Sequence, residues 1–319
     1  IDNLITESSD PRFSEIDRYR TGVYATLGNP EYLGGYLAPL ALVAIGMTLG
    51  ARYRWARGAA AVAIALTAIP ALLTGSRGAS LGLVGGAGLF VLVSILSGLR
   101  SSHRRTAAVS AAVVVAFMAV LALFIWKSRT GPFRLLRERL AAVADPYEDN
   151  IRNRIVFYVV AADVAMDRPV LGAGPGMFGP AFYPTLLERL RKTSETTAEI
   201  VVRDLQGGVP ERVHNDWLEI WVGTGTVGLG AWFWLLAVWI VLVFRRILLA
   251  DRGRDRWVLA GVAAAVPAVL INSLFNFPLH EPARATVFWL LLGAGGALSL
   301  REESALYDPG DRRPRQERT

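Results

Sequence analysis

Apolar residues in this chain come in long runs rather than in the short alternations of a soluble fold. Seven stretches, at residues 32–49, 55–73, 79–99, 106–126, 217–244, 257–275 and 285–300, each carry at most one charge. A helix needs about 20 apolar residues to cross the hydrocarbon layer, and a lone spanning segment satisfies its backbone groups in lipid only as a helix. The pattern predicts an all-α, polytopic membrane protein with about seven transmembrane helices. Gly82, Gly85, Gly86 and Gly88 crowd the third run, where they weaken a soluble helix but allow membrane helices to pack closely.

Between the fourth and fifth runs the chain is polar. The stretch from Lys127 to Asp216 holds 13 basic and 12 acidic residues. Periodicity predicts an amphipathic helix over residues 132–144, a more apolar one lying along the interface over 151–166, and a third over 178–190. Arg168-Pro169 ends the second of these, an irregular turn follows at Gly172, Gly174, Pro175 and Gly176, and residues 193–209 read as polar and mobile. The expected organisation is an outer segment 1–31, four spans in 32–126, one long extracytoplasmic loop of short helices in 127–216, three spans in 217–300 and a cytoplasmic tail 301–319.

Charge fixes the orientation. Lys127 and Lys192 are the only lysines, so the formal net charge of +7 is almost wholly arginine. Sixteen arginines fall in the loops at 50–57, 100–105 and 245–256 and in the tail after Leu300, all on one side by alternation. The opposite short loops hold only Arg77 and Arg284. The positive-inside rule places the sixteen in the cytoplasm, and the N-terminus and long loop outside it. An outer N-terminus starting at Ile1 without a leader predicts a chain truncated at that end, its missing spans having carried it across.

Composition narrows the chemistry. Charged residues make up 19% of the chain, below the roughly 25% of soluble proteins, and mean hydropathy is +0.36. The absence of cysteine removes thiol catalysis, disulfides and Cys-ligated zinc or iron–sulfur clusters. Three histidines with no His-x-x-x-His pair predict no metal site and no cofactor. The arginines sit at membrane boundaries, which favours lipid headgroups over nucleic acid as their partner.

Polar residues where a span has no need of them mark the candidate chemistry. His214-Asn215-Asp216-Trp217-Leu218-Glu219 stands where the long loop enters the fifth run, with an imidazole at the outer surface and a carboxylate one turn deeper. A neutral imidazole can take a proton from a hydroxyl; an interfacial helix-entry contact is the alternative. Glu219 is either functional or paired with an arginine that locks helices. Arg77, in Thr74-Gly75-Ser76-Arg77-Gly78, either snorkels to headgroups or clamps a phosphate, which a guanidinium binds bidentately without losing its proton. Arg154 offers the same choice at the start of an outer helix. The Gly172–Gly176 cluster follows no strand and contains Pro175, so a turn fits it better than a dinucleotide motif. His280-Glu281 reads as a helix-capping turn, with a second acid–base pair as the alternative. His103, in the cytoplasmic arginine cluster, reads as headgroup-facing.

The segment from Arg20 through Gly28-Asn29-Pro30-Glu31 to Leu37, then Ser76-Arg77-Gly78, then Arg154 with Pro169 to Phe178, then His214-Asn215 and Trp217-Leu218-Glu219 with Gly225 and Gly228, occur in an order that resembles the O-antigen ligase and polymerase family. The resemblance covers residues 20–300. It implies an enzyme of the bacterial inner membrane with additional N-terminal helices. Such an enzyme transfers a glycan from undecaprenyl diphosphate, on the extracytoplasmic face and without metal, to an acceptor that is a glycan, a lipid A core or a protein. It implies that Arg77 and Arg154 hold the diphosphate and His214 activates the acceptor hydroxyl, with Arg20, Asn29, Asn215 and Glu219 as the substrate-binding set. Glu31 stands where the family often has Asn. Ligase and polymerase differ in acceptor, which these residues do not distinguish. A solute transporter, with Glu219 and Arg77 lining its path, is the other class the pattern allows; a seven-helix receptor fits poorly with the long loop.

Overall fold

The structure, a computed structural model, describes residues 25–99, 149–192, 210–249 and 255–306. Its helices are α1 (Pro30–Gly50), α2 (Arg54–Leu73), α3 (Arg77–Leu99), α4 (Asp149–Asp167), α5 (Phe178–Arg191), α6 (Asp216–Leu249), α7 (Asp255–Asn272) and α8 (Pro282–Leu306), with 3-10 turns at Ala25–Leu27 and Pro278–His280. All regular elements among the described residues are helical, and the chain is an all-α polytopic membrane protein. Among the described residues five helices are long and apolar enough to cross a membrane: α1, α2, α3, α6 and α8. A sixth, α7, is apolar but shorter, at Arg256–Asn272. The run at 106–126, the amphipathic pattern at 132–144, the polar stretch 193–209 and Arg20 lie outside the described residues.

The short helix is the centre. Leu259, Ala260, the run from Val262 to Val266, Ala268 and Val269 are all buried on α7, as expected of a helix that is apolar on every side and enclosed by others. Small residues bring its neighbours in. A Cβ on Gly46 of α1 would meet Gly261 at 3.0 Å, and Gly82 and Gly86, one turn apart on α3, face the α7 backbone at Ala268 and Ala264. By contrast Trp55, Leu66, Trp234 and Leu290 on α2, α6 and α8 stand at 75%, 67%, 70% and 67% exposure. That outward apolar surface suits contact with lipid chains. Inside the bundle, the buried Trp239 keeps its indole N–H satisfied by donating to the Leu292 carbonyl at 2.8 Å.

A second core is built from the described residues between α3 and α6. Val160, Ala161, Val164 and Ala165 of α4 pack with Phe178, Phe182 and Leu186 of α5 and with Val213 and Val222. Helix α6 joins the two cores, and it is broken. Gly225 adopts φ 64°, ψ −166° inside its 34 residues, a conformation essentially reserved for glycine. The backbone groups freed by the break are taken up by the 168–176 turn. Ala173 N donates to the Val222 carbonyl at 2.7 Å, Thr226 N to Pro169 at 2.8 Å and Val227 N to Val170 at 3.2 Å. Unbroken, α6 would run about 50 Å, well beyond a hydrocarbon layer of about 30 Å. The break divides it into a segment 216–224 that belongs with the second core and a longer segment that suffices to span.

Candidate active site

Five pieces of chain converge at one end of the bundle. The first turn of α1 is organised by Asn29, whose side chain caps the helix by accepting from Glu31 N at 2.8 Å, ahead of Pro30 at the first helical position. This cap points the Glu31 carboxylate out of the helix start. Along α1, Gly34 and Gly35 remove bulk where two other pieces close in. A Cβ on Gly34 would lie 2.6 Å from Thr74 Oγ1 and 3.2 Å from Ser76 Cβ; one on Gly35 would lie 2.6 Å from Asn272 Nδ2 and 3.3 Å from Arg284 Cδ. The start of α3 and the start of α8 therefore both reach α1 within one turn of Glu31.

Helix α4 supplies Arg154, Phe157 and Tyr158 from a single face. Arg154 Nη1 donates to the Phe275 carbonyl at 2.6 Å and its Nη2 lies 3.7 Å from Glu31 Oε1. Tyr158 Oη lies 3.2 Å from the His214 carbonyl and 3.0 Å from that of Leu274. Burial raises the Tyr158 pKa, with Arg154 and a hydrogen bond to Asn215 opposing, so the phenol keeps the proton it donates. Carbonyls just past the end of α7 thus receive both side chains, which ties α4 to the end of a bundle helix.

His214 sits in the middle of this arrangement. Its φ of 59° is left-handed, an uncommon state for a residue other than Gly, and its neighbours hold it there. Val213 N donates to Glu219 Oε2 at 2.8 Å, and Asn215 Oδ1 caps α6 by accepting from Trp217 N at 3.0 Å and Leu218 N at 3.2 Å. The imidazole lies edge-on to Phe277 at 5.0 Å and beside Phe157 at 6.0 Å. Its buried Nδ1 has no hydrogen-bond partner among the described residues. Burial, then the charges of Arg154 and Arg284, lower its pKa from 6.5 to about 4. The ring is therefore neutral at physiological pH, the form with a free lone pair, and the same burial and charges that keep it neutral weaken it as a base.

The other residues singled out in the sequence fall as follows. Arg77 is half-buried at the first position of α3, behind Ser76, whose Oγ accepts from Ala79 N at 3.3 Å. Its neighbour Gly78 lies against the Asn272 and Asn276 carboxamides. A cation at a helix N-terminus opposes the helix dipole, an arrangement that an intervening anion relieves. Glu219 pairs with Arg212 at 3.3 Å as well as with Val213 N; it braces the strand of backbone leading into His214. Asn29 and Asn215 spend their side-chain oxygens on caps. A shallow cleft of about 560 Å³, lined by Gly176, Gly179, Pro180, Tyr183, Glu211 and Arg212, opens beside that same backbone, and neither His214 nor Arg154 lines it.

Three participants escape a reading of the sequence. Asp216 is 1% exposed and accepts from Ser273 Oγ and Leu279 N, both at 2.9 Å, with His280 Nδ1 at 2.6 Å from its other oxygen. His280 thus pairs across the chain with Asp216, while Glu281 caps α8 through Arg284 N at 3.0 Å. Asn276 satisfies its surroundings when its Nδ2 donates to Glu31 Oε2 at 2.7 Å and to the Phe275 carbonyl at 3.1 Å. Arg284 is 2% exposed, lies 4.3 Å over the Tyr32 ring and bonds Glu281 through Nε at 3.3 Å. Its place in a short loop otherwise poor in arginine was the one available signal. Among the described residues no cluster of three or more His, Cys, Asp or Glu side chains forms a metal site.

The geometry is that of a neutral imidazole beside guanidinium groups at one end of a membrane bundle. A family model described as O-antigen ligase matches residues 60–233, more than half of the chain, and takes in Arg77, Arg154 and His214. No curated protein matches the chain. The match extends from α2 through the second core to the first half of α6, and the chain belongs to the O-antigen ligase family, whose work is glycan transfer at a membrane.

Proposed function

We propose that the protein transfers a glycan from undecaprenyl diphosphate to an acceptor hydroxyl on the extracytoplasmic face of the bacterial inner membrane, without a metal. The observation that carries this reading is the placement of a neutral His214 with an unpartnered Nδ1 beside Arg154; a diphosphate bound there offsets the cations that lower the His214 pKa and so restores its strength as a base. Arg154 and Arg77 hold the diphosphate, which as a diester carries about two negative charges. In a site of low dielectric, guanidinium groups offset much of the charge that grows on it as the sugar leaves. His214 takes the acceptor proton as the acceptor oxygen attacks C1 from the face opposite the diphosphate. The C1–O bond to phosphate breaks, undecaprenyl diphosphate departs, and the anomeric centre inverts.

The sixteen arginines on one side of the spans support the assigned face. The acceptor, whether a lipid A core, a growing glycan or a protein, decides between ligase and polymerase. Glu219 gives the transporter alternative no support, because its carboxylate is occupied by Arg212 and Val213 N. The test is transfer in EDTA-treated membranes containing the full-length protein and a lipid-linked glycan labelled in the sugar. Label should move from the lipid to a hydroxyl-bearing acceptor. Label that stays on the lipid, with acceptors supplied, contradicts the reading.

A further inference from the structure

Arg284 is a guanidinium whose hydrogen-bonding capacity the fold does not use. Its side chain is 1% exposed. Nε reaches Glu281 at 3.3 Å, while Nη1 and Nη2 are buried without any partner among the described residues. The rings of Tyr32, at 4.3 Å, and Phe277, at 5.7 Å, lie against its charge but supply no hydrogen-bond acceptor of the strength of an oxygen. Asn272 is the one carboxamide close by, across Gly35. When Asn276 donates to Glu31, its oxygen is left 3.0 Å from Asn272 Oδ1, which asks Asn272 to turn its nitrogen toward Asn276 and its carbonyl toward Gly35 and Arg284. Even so turned, it accepts one N–H. A guanidinium has five, and a buried donor without an acceptor costs free energy that evolution rarely leaves in place without use.

The open donors are beside the chemistry. Phe277 has the His214 imidazole against it at 5.0 Å and the Arg284 guanidinium at 5.7 Å, and the Arg284 charge is one of the causes that lower the His214 pKa. A ligand with several strong acceptor oxygens and negative charge matches three unfilled N–H bonds on a cation; a neutral sugar hydroxyl does not. We propose that Arg284 is a third guanidinium of the diphosphate site and binds non-bridging phosphate oxygens of the lipid-linked donor through its two amino groups. The inference rests on the donor assigned under the proposed function. It adds that the clasp is closed by the last helix, α8, so that the site is completed only when the C-terminal part of the bundle has docked on α1.

The experiment uses the full-length protein in nanodiscs and undecaprenyl diphosphate as the probe, with R284K and R284Q compared with the unaltered protein by thermophoresis. R284Q is expected to weaken binding about tenfold or more, and R284K by less, because Lys keeps the charge but loses the paired donors. A cryo-EM structure of the unaltered protein with the same lipid is the second measurement, and it decides the matter if R284Q does not fold. Phosphate oxygens within hydrogen-bond distance of the Arg284 amino groups are expected. A folded R284Q that binds like the unaltered protein, or phosphates held elsewhere, overturns the role of Arg284 alone. An unaltered protein that fails to bind undecaprenyl diphosphate overturns the donor assignment as well.

Discussion

His280 Nδ1 lies 2.6 Å from Asp216 Oδ1, joining the turn before α8 to the first residue of α6 across 64 positions of sequence. The same carboxylate holds Ser273 Oγ and Leu279 N, so one buried side chain gathers α6, the end of α7 and the approach to α8. With Asp216 ionised, the pairing fixes the His280 proton on Nδ1. Replacing Asp216 with Asn puts an amide among three donors, and one of them must lose its acceptor. The expected result is a loss of about 1–3 kcal/mol in stability, read by thermal unfolding in detergent. If the Asn nitrogen faces His280, the proton moves to Nε2, which nitrogen-15 imidazole shifts report. An unchanged melting temperature together with an unchanged tautomer contradicts this account of Asp216.

The lowered pKa of His214 sets a pH dependence. The folded value is about 4 against an ordinary 6.5, so between those values the unfolded chain binds the extra proton. Stability therefore is highest above pH 6.5 and falls as pH drops toward 4, by about 3 kcal/mol for this group in full. The acid limb of kcat/KM, which reports the free enzyme, should fall near pH 4 rather than 6.5. The limb of kcat should lie at higher pH, because a bound diphosphate anion favours the protonated ring. A pH–rate profile whose two limbs coincide at 6.5 contradicts the burial of this imidazole between two arginines.

Gly225 carries the junction between the two cores. Its φ of 64° with ψ of −166° excludes a side chain, and a Cβ would run into the Val170 carbonyl. Gly225→Ala is expected to cost about 3 kcal/mol or more and to release the 168–176 turn, because that turn's bonds to Val222, Thr226 and Val227 depend on the break. Limited proteolysis should then cut near Arg168 faster than in the unaltered protein. Equal cutting rates at equal stability contradict the docking of the turn into the broken helix.

The positions of the bundle helices were legible because lipid imposes one rule on every span. Residues 32–49 and 55–73 lie within α1 and α2, and the arginine asymmetry picked out Arg77 and Arg284 as exceptions. The pattern at 217–244 read as one continuous span because hydropathy has no term for φ, and only the docked Pro169–Ala173 backbone explains the Gly225 break. His214 and Arg154 were singled out by their order along the chain, and the structure brings them to the same end of the bundle. The Asp216–His280 pair was not, since 64 residues and an unmarked turn separate the partners. Asn29 and Asn215 stood out in the segments that resemble the family and Glu219 as a carboxylate inside an apolar run, and the structure shows what each supports locally: two caps and a brace on Val213.

In the proposed mechanism His214 takes the acceptor proton while the arginines hold the donor. The residue to place there is Asn, which tolerates the left-handed backbone at φ 59° and so separates loss of the imidazole from loss of the fold. The direct measurement is single-turnover transfer from a labelled undecaprenyl diphosphate glycan by full-length protein carrying His214→Asn, with donor binding read in the same sample. Transfer should fall by about 10²–10⁴ with donor affinity within a few-fold of the unaltered protein. Transfer at the unaltered rate, with the protein folded and the donor bound, would remove His214 from the mechanism.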